Sequence, residues 1–347
     1  MPRNIIAFIA IAAVAIGVCS LASCAMDPEI VTVFGGGISV PKLVSVETRG
    51  SREIRATFSL PVTVTGASVI PGESAVTGEP GSGADQSIPI TASWEESPDE
   101  PGEIAFILDE AIAVGSTAYL SATVEDSGGN SLSFSVPFIG YNERPPRLLI
   151  NEIRTDYVNP KVEFIEFFAL SDGNLAGVEI SCAADKSGIA WSFPSAEVRA
   201  GDYVMYHLRS VEDGLVNETG STDASGGTEA RADARDFWDN RKSSPLKETN
   251  VIVVRERKGG TILDALLVAE PDKASWPTDA ISRAASEVVS VAAWKGDGSV
   301  ATAASALGMT PTRTLGRNPG APDTDSAADW ALCPKLKASP GTRNISW

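Results

Sequence analysis

One histidine, His207, occurs among 347 residues, and that removes most hydrolytic chemistry. Ser-His-Asp triads, His-ligated zinc and His general bases each need an imidazole beside a partner group. His207 follows Val204-Met205-Tyr206 on a strand-like run, so it reads as a strand-end side chain, at the surface or partly buried. Carboxylates come next. Glu163 and Glu166 lie three apart inside the apolar run VEFIEFF, and a regular strand sends them to opposite faces. They read as structural, each accepting backbone or arginine hydrogen bonds. Acidic clusters at Glu95-Glu96 with Asp99-Glu100, and at Asp323, Asp325 and Asp329, read as solvated faces, with weak calcium binding as the alternative. Residues 126–130 lack the alternating acids and closing Glu of a calcium loop and read as a hairpin turn. The Gly-x-Gly at Gly81 and Gly83 precedes no helix, so it cradles no phosphate. The expectation is a protein with no catalytic residues, no metal ligands and no cofactor.

The cysteines point to location. Arg3 is the one charge before an apolar run over 5–18, which has the form of a signal-peptide core and is short for a membrane span. It leads into Leu21-Ala22-Ser23-Cys24. The expected organisation is a signal segment at 1–24 and a flexible tether at 25–40 around Gly35-Gly36-Gly37. Cys182 and Cys333 remain in the mature chain. Export would allow a disulfide between them; two buried thiols are the alternative.

The formal net charge is −17, which argues against general nucleic-acid binding and against charge-driven binding to anionic lipid. More than 300 residues come after the signal segment, enough for two domains. Short alternating runs at 43–46, 54–58, 62–64, 88–94, 102–108, 118–124 and 132–138, each bounded by turn residues, predict a β-sandwich over 41–140. Pro145-Pro146 makes 141–147 a stiff linker. A second β-domain is expected over 148–347, with insertions at about 211–250 and 278–308. Within the first insertion, 211–227 reads as a mobile loop and 228–241 as an amphipathic helix. A second helix is expected over 278–294 with Thr278 as N-cap. Trp94, Trp191, Trp294 and Trp330 read as core, and Trp238 and Trp347 as exposed contact residues.

Three resemblances carry the functional expectation. Leu21-Ala22-Ser23-Cys24 resembles the bacterial lipobox, which implies that Cys24 is acylated and anchors the protein to a membrane. Ile54-x-Ala56-x-Phe58-Ser59-x-Pro61-Val62, then Val114-Gly115-Ser116-Thr117-Ala118-Tyr119, then Asp126-Ser127-Gly128-Gly129-Asn130 resemble bacterial immunoglobulin-like domains of surface proteins. The order Asn151-Glu152, Glu163-Phe164-Ile165-Glu166-Phe167, Leu175-Ala176-Gly177, Ala200-Gly201-Asp202-Tyr203-Val204 resembles the lamin-tail domain. Asn250-Val251-Ile252-Val253-Val254 before Gly259-Gly260 and Leu263-Asp264 continues it, and Asp329-Trp330 and Ser339-Pro340-Gly341-Thr342-Arg343-Asn344 close it. That family is an immunoglobulin-like β-sandwich, so the resemblance gives Asn151, Glu152, Glu163, Glu166, Gly177, Gly201, Trp330, Pro340, Gly341 and Asn344 structural roles. Together these imply an all-β, non-catalytic lipoprotein of the bacterial cell envelope, two immunoglobulin-like sandwiches in tandem, facing the periplasm or the cell surface. It would bind a protein or an envelope polymer. The alternatives are a structural spacer or scaffold, or an accessory subunit of a secreted hydrolase such as a nuclease.

Overall fold

Alternating apolar residues build the first seven strands, β1 (Leu43–Gly50), β2 (Glu53–Phe58), β3 (Thr63–Pro71), β4 (Ile90–Glu96), β5 (Glu103–Leu108), β6 (Thr117–Glu125) and β7 (Ser131–Ile139). The computed structural model describes residues 40–72, 88–97 and 100–345. Cys24, the signal segment, nearly all of the tether and Trp347 lie outside the described residues. The seven strands form one antiparallel sheet in the order β1-β2-β5-β4-β3-β6-β7, with β1 returning to contact β7. Every second residue points inward. Ile54, Ala56 and Phe58 of β2, Phe106 of β5 and Leu120 of β6 share a single core, each large side chain contributing about 2 kcal/mol by leaving water. The β6–β7 turn is set by Asp126, whose Oδ1 accepts from the Gly128 and Asn130 amides at 2.8 and 2.9 Å. Trp94, expected in the core, is instead exposed on β4: it shares the face of Ala92, but burial on this strand does not extend past Ala92.

Residues 141–147 are fastened to the C-terminal half of the chain. The Asn142 side chain donates to the Asn174 and Ala176 carbonyls at 2.7 and 2.9 Å, and Arg257 donates to Tyr141 while stacking over its ring.

The C-terminal unit contains β8 (Leu148–Arg154), β9 (Phe164–Ala169), β10 (Gly173–Asn174), β11 (Glu179–Cys182), β12 (Trp191–Ser192), β13 (Glu197–Val198) and β14 (Tyr203–His207). After these come β15 (Ala234–Trp238), β16 (Asn250–Arg255), β17 (Ile262–Ala269), the helix α1 (Asp279–Ser290), β18 (Ala304–Ser305), β19 (Leu315–Arg317) and β20 (Trp330–Leu332). A six-stranded sheet β15-β14-β9-β8-β19-β20 and a five-stranded sheet β12-β11-β16-β17-β18 share one core. Phe167 of the first sheet, Val251 and Leu266 of the second, and Ile281, Ala285 and Val288 of α1 all belong to this core. Thr278 caps α1, its Oγ accepting from the Ile281 amide. The chain is thus mostly β-sheet with few helices, and among the described residues no helix is long and apolar enough to cross a membrane.

Two expectations for the first insertion are corrected, and of the two alternatives for the cysteines the buried thiols are found. Residues 228–241 form no helix, because β15 runs parallel to β14 with Asp236 opposite Met205 and Trp238 opposite His207. Sheet pairing and a buried carboxylate override the helical spacing. The loop before it is tied down, with the Glu218 amide donating to the Asp236 carbonyl and the Glu218 carboxylate accepting from the Asp236 amide. Cys182 and Cys333 are free buried thiols. Cys182 ends β11 in the five-stranded sheet, whereas Cys333 comes after β20 in the six-stranded one and accepts from the Thr314 amide and hydroxyl.

Candidate functional site

An extra residue in β8 decides what the outer face of the six-stranded sheet carries. Ile150 points into the core, so strict alternation would send Glu152 there too. The β8–β9 register shifts between Ile150 and Glu152. This bulge at Asn151 turns Glu152 to the outer face, directly opposite Glu166. Further along the same face stand Arg154, Phe164, Met205, His207, Asp236 and Trp238. They are buried because segments 212–231 and 334–345 lie over them.

Both carboxyls are taken up by the chain's own C-terminal segment. Glu152 accepts from the Ser339 amide at 3.2 Å and the Ser339 hydroxyl at 3.0 Å. Glu166 accepts from the Asn151 side chain at 2.6 Å and from the Gly341 amide. Asn344 closes the loop, donating to the Asn151 and Arg317 carbonyls at 3.0 and 2.8 Å. Gly341 sits at φ +82°, and a Cβ there would lie 3.0 Å from Cβ of Arg231, so the turn needs glycine. Burial holds Glu152 above the usual carboxylate range, and burial plus the neighbouring Glu152 charge hold Glu166 well above it. With their oxygens engaged and covered, the pair acts as a fastening for the C-terminal segment.

Glu163 and Glu229 are likewise paired. Glu163, just before β9, takes both ends of the Arg209 guanidinium, and Arg154 pairs with Glu229 in full burial. His207 ends β14, as expected, but is wholly buried rather than at the surface or partly buried. Its Nε2 lies 2.6 Å from Asp236, its ring stacks on Trp238 at 3.8 Å, and burial lowers its pKa. Among the described residues, no serine, threonine or cysteine is hydrogen-bonded to it. Asp264, Asp323 and Asp325 bring one carboxylate oxygen each within 4.8 Å of one another. Arg317 occupies that centre, pairing with Asp264 at 3.0 Å and with Asp323. Asp329, read as part of a solvated face, is buried, accepting from Thr324 and Ser326. Trp330 packs in the core with Arg317 over its ring, 4.9 Å away. Gly177 and Gly201 take positive φ at turns before β11 and β14. Pro340 leads into the Gly341 turn.

A groove of about 990 Å³ opens between the loop after β11 and the strand–loop 238–247. Trp191 lines it, held by stacking on Tyr206 at 4.3 Å and by edge contacts to Phe193 and Phe237. Trp238, expected to be exposed, is mostly buried and forms part of the wall, its indole N–H donating to Ser225 at 2.8 Å. Arg241 bridges Asp185 and Asp239, and Asp239 also accepts from the Tyr206 hydroxyl at 2.7 Å. Burial lifts the Tyr206 hydroxyl pKa, as does the Asp239 charge. The Asp185 carboxyl lies below its ordinary range, because hydrogen bonds from Ser187 and the Arg241 charge outweigh its desolvation. The sequence alone did not bring these residues together: they come from loops on two different sheets, and the one signal was the pair of tryptophans.

A family model described as TP_1001_2nd, protein second domain, matches residues 146–332, more than half of the chain. The chain belongs to this family. The TP_1001_2nd match runs from the start of β8 to the end of β20 and contains the whole groove, while Ser339–Asn344 lies beyond it. An uncharacterized protein of Treponema pallidum (strain Nichols) is 35% identical over 185 residues, which is 52% of this chain. The chain spans about half of that relative, 47% of its length. Among solved structures, the N-terminal part of the bacterial S-layer protein SbsC aligns at 13% identity and a TM-score of 0.26, covering 67% of this chain and 45% of that one. Domains 1–6 of the same surface-layer protein align at 12% identity and a TM-score of 0.25, over 48% and 32% of the two chains.

Proposed function

We propose that the chain is an envelope lipoprotein anchored through acylated Cys24, a non-catalytic module that binds a protein or polymer of the cell envelope. Its two units are read as immunoglobulin-like β-sandwiches, the second lamin-tail-like. The two-layer core of the C-terminal unit and the fastening of Ser339–Asn344 onto Glu152 and Glu166 support that reading. The observation that carries the binding role is the groove: open, about 990 Å³, lined by tryptophan, amide, hydroxyl and charged side chains. The buried carboxylates Glu152, Glu163, Glu166, Glu229, Asp236, Asp264 and Asp329 are paired inside the fold, which disfavours an enzyme. A spacer or an accessory subunit of a hydrolase would not require such a groove.

The test is co-sedimentation of the mature protein with envelopes from its own cells. Ile189 is exposed at the groove, and both native thiols of the described residues are buried, so Ile189→Cys can be blocked selectively with a bulky maleimide. Blocking is expected to lower the bound fraction at least tenfold, while the same label at Val44→Cys on β1 leaves it unchanged. Equal binding by both labelled proteins would contradict the reading.

A further inference from the structure

We infer that the groove takes an anionic polysaccharide chain. The inference rests on the binding-module reading above and names its ligand class.

The charge around the groove departs from that of the molecule. The chain carries a net charge of −17, yet Lys186, Arg241 and Lys247 line the groove against only two carboxylates, Asp185 and Asp239. Both carboxylates are already engaged by Arg241, and further by Ser187 and the Tyr206 hydroxyl. Among the described residues, Lys186 and Lys247 make no ion pair and are exposed. Free cations in a concave site on an acidic protein attract an anionic ligand and repel little of it.

The remaining lining separates a glycan from an acidic peptide. A peptide binds a sheet edge by extending it, but of the two edge strands here β12 is two residues long, and the edge of β15 is already taken by Asn217 and Glu218. Asn240, Ser243 and the side-chain NH2 of Asn217 instead offer exposed amide and hydroxyl groups along the groove, which match the spaced hydroxyls of a sugar chain. Trp191 adds an aromatic surface, fixed in place by Tyr206, against which the C–H face of a pyranose packs. An acidic sugar places carboxylate or phosphate at the lysines and its ring on the tryptophan.

The experiment is titration of the full-length protein in detergent micelles with polygalacturonate, neutral dextran and polyglutamate, read by calorimetry. Polygalacturonate is expected to bind, to weaken with salt, and to lose at least tenfold in affinity in the Lys186→Gln/Lys247→Gln double variant. The Lys335→Gln/Lys337→Gln control, on the exposed part of the C-terminal segment, should bind as the parent does. Polyglutamate binding as tightly would overturn the glycan assignment, and dextran binding as tightly would overturn its anionic character. Failure of all three polymers, with envelope co-sedimentation still lost on blocking Ile189→Cys, would overturn the ligand class and leave the binding module standing. Loss of groove-dependent co-sedimentation would remove the module itself.

Discussion

Glu152 and Glu166 stand opposite each other across β8 and β9, on the face of the sheet away from its core, because Asn151 is one residue too many for the ladder. That bulge converts what would be a buried core carboxylate into half of a clasp for the C-terminal segment. Asn151 supplies the third element, donating to Glu166 and to Asn344.

The clasp gives stability a sign with pH. Glu152 and Glu166 are held above the ordinary carboxylate range, and burial pushes Asp264 up to about 7. The folded chain keeps protons that the unfolded chain releases, so this contribution is complete below the unfolded values and is lost as pH rises toward neutrality. Lowered His207 works the other way, its contribution being lost as pH falls below its ordinary 6.5. Glu152→Gln isolates the first effect. Its melting temperature relative to the parent is expected to rise between pH 4.5 and 8, and identical slopes would count against the raised pair.

Gly341→Ala is expected to cost about 2 kcal/mol, since it sets a Cβ at positive φ against Arg231. Chemical denaturation with the C-terminal unit monitored by tryptophan fluorescence measures it. A cost within about 0.5 kcal/mol, the usual range for a surface change, would mean the turn is not held as described.

Arg154 and Glu229 test a different part of the same face. Arg154 also donates to the Val162 carbonyl at 2.9 Å, so Arg154→Met leaves that carbonyl without its donor in burial and Glu229 with only Arg231, 3.8 Å away. A loss of about 3–5 kcal/mol is expected. Arg154→Met/Glu229→Leu should recover much of it, and a double variant as unstable as the single one would show that the ion pair is not the source.

How far the sequence reached differs between the two units. Strict alternation in 54–58, 103–108 and 117–125 shows the N-terminal strands directly, since one face is wet and the other dry. Thr278 before an amphipathic run likewise marks α1. In the C-terminal unit both faces of the six-stranded sheet are covered, so alternation fades and Asp236 and Trp238 read as a helix face when they belong to β15. Opposite faces for Glu163 and Glu166 came from their spacing, but the partner of Glu166 is Glu152, and only the bulge reveals that. Cys182 and Cys333 illustrate a further limit: sequence counts thiols, while sheet membership separates them. The groove joins residues about 50 positions apart, through loops with no periodicity to read.

For the anchor, Cys24→Ala is expected to leave an unprocessed precursor or to release the protein to the soluble fraction. Two-phase detergent partitioning measures this, and unchanged membrane partitioning would remove the lipid from the proposal.

Photo-crosslinking in intact cells tests the binding role most directly. A benzophenone amino acid placed at Ile189, on the exposed rim of the groove, is expected to give a discrete adduct. The same group at exposed Val44 on β1 is expected to give none of the same size. No adduct at Ile189, or the same adducts from both positions, would contradict the groove as the face by which this protein meets the envelope.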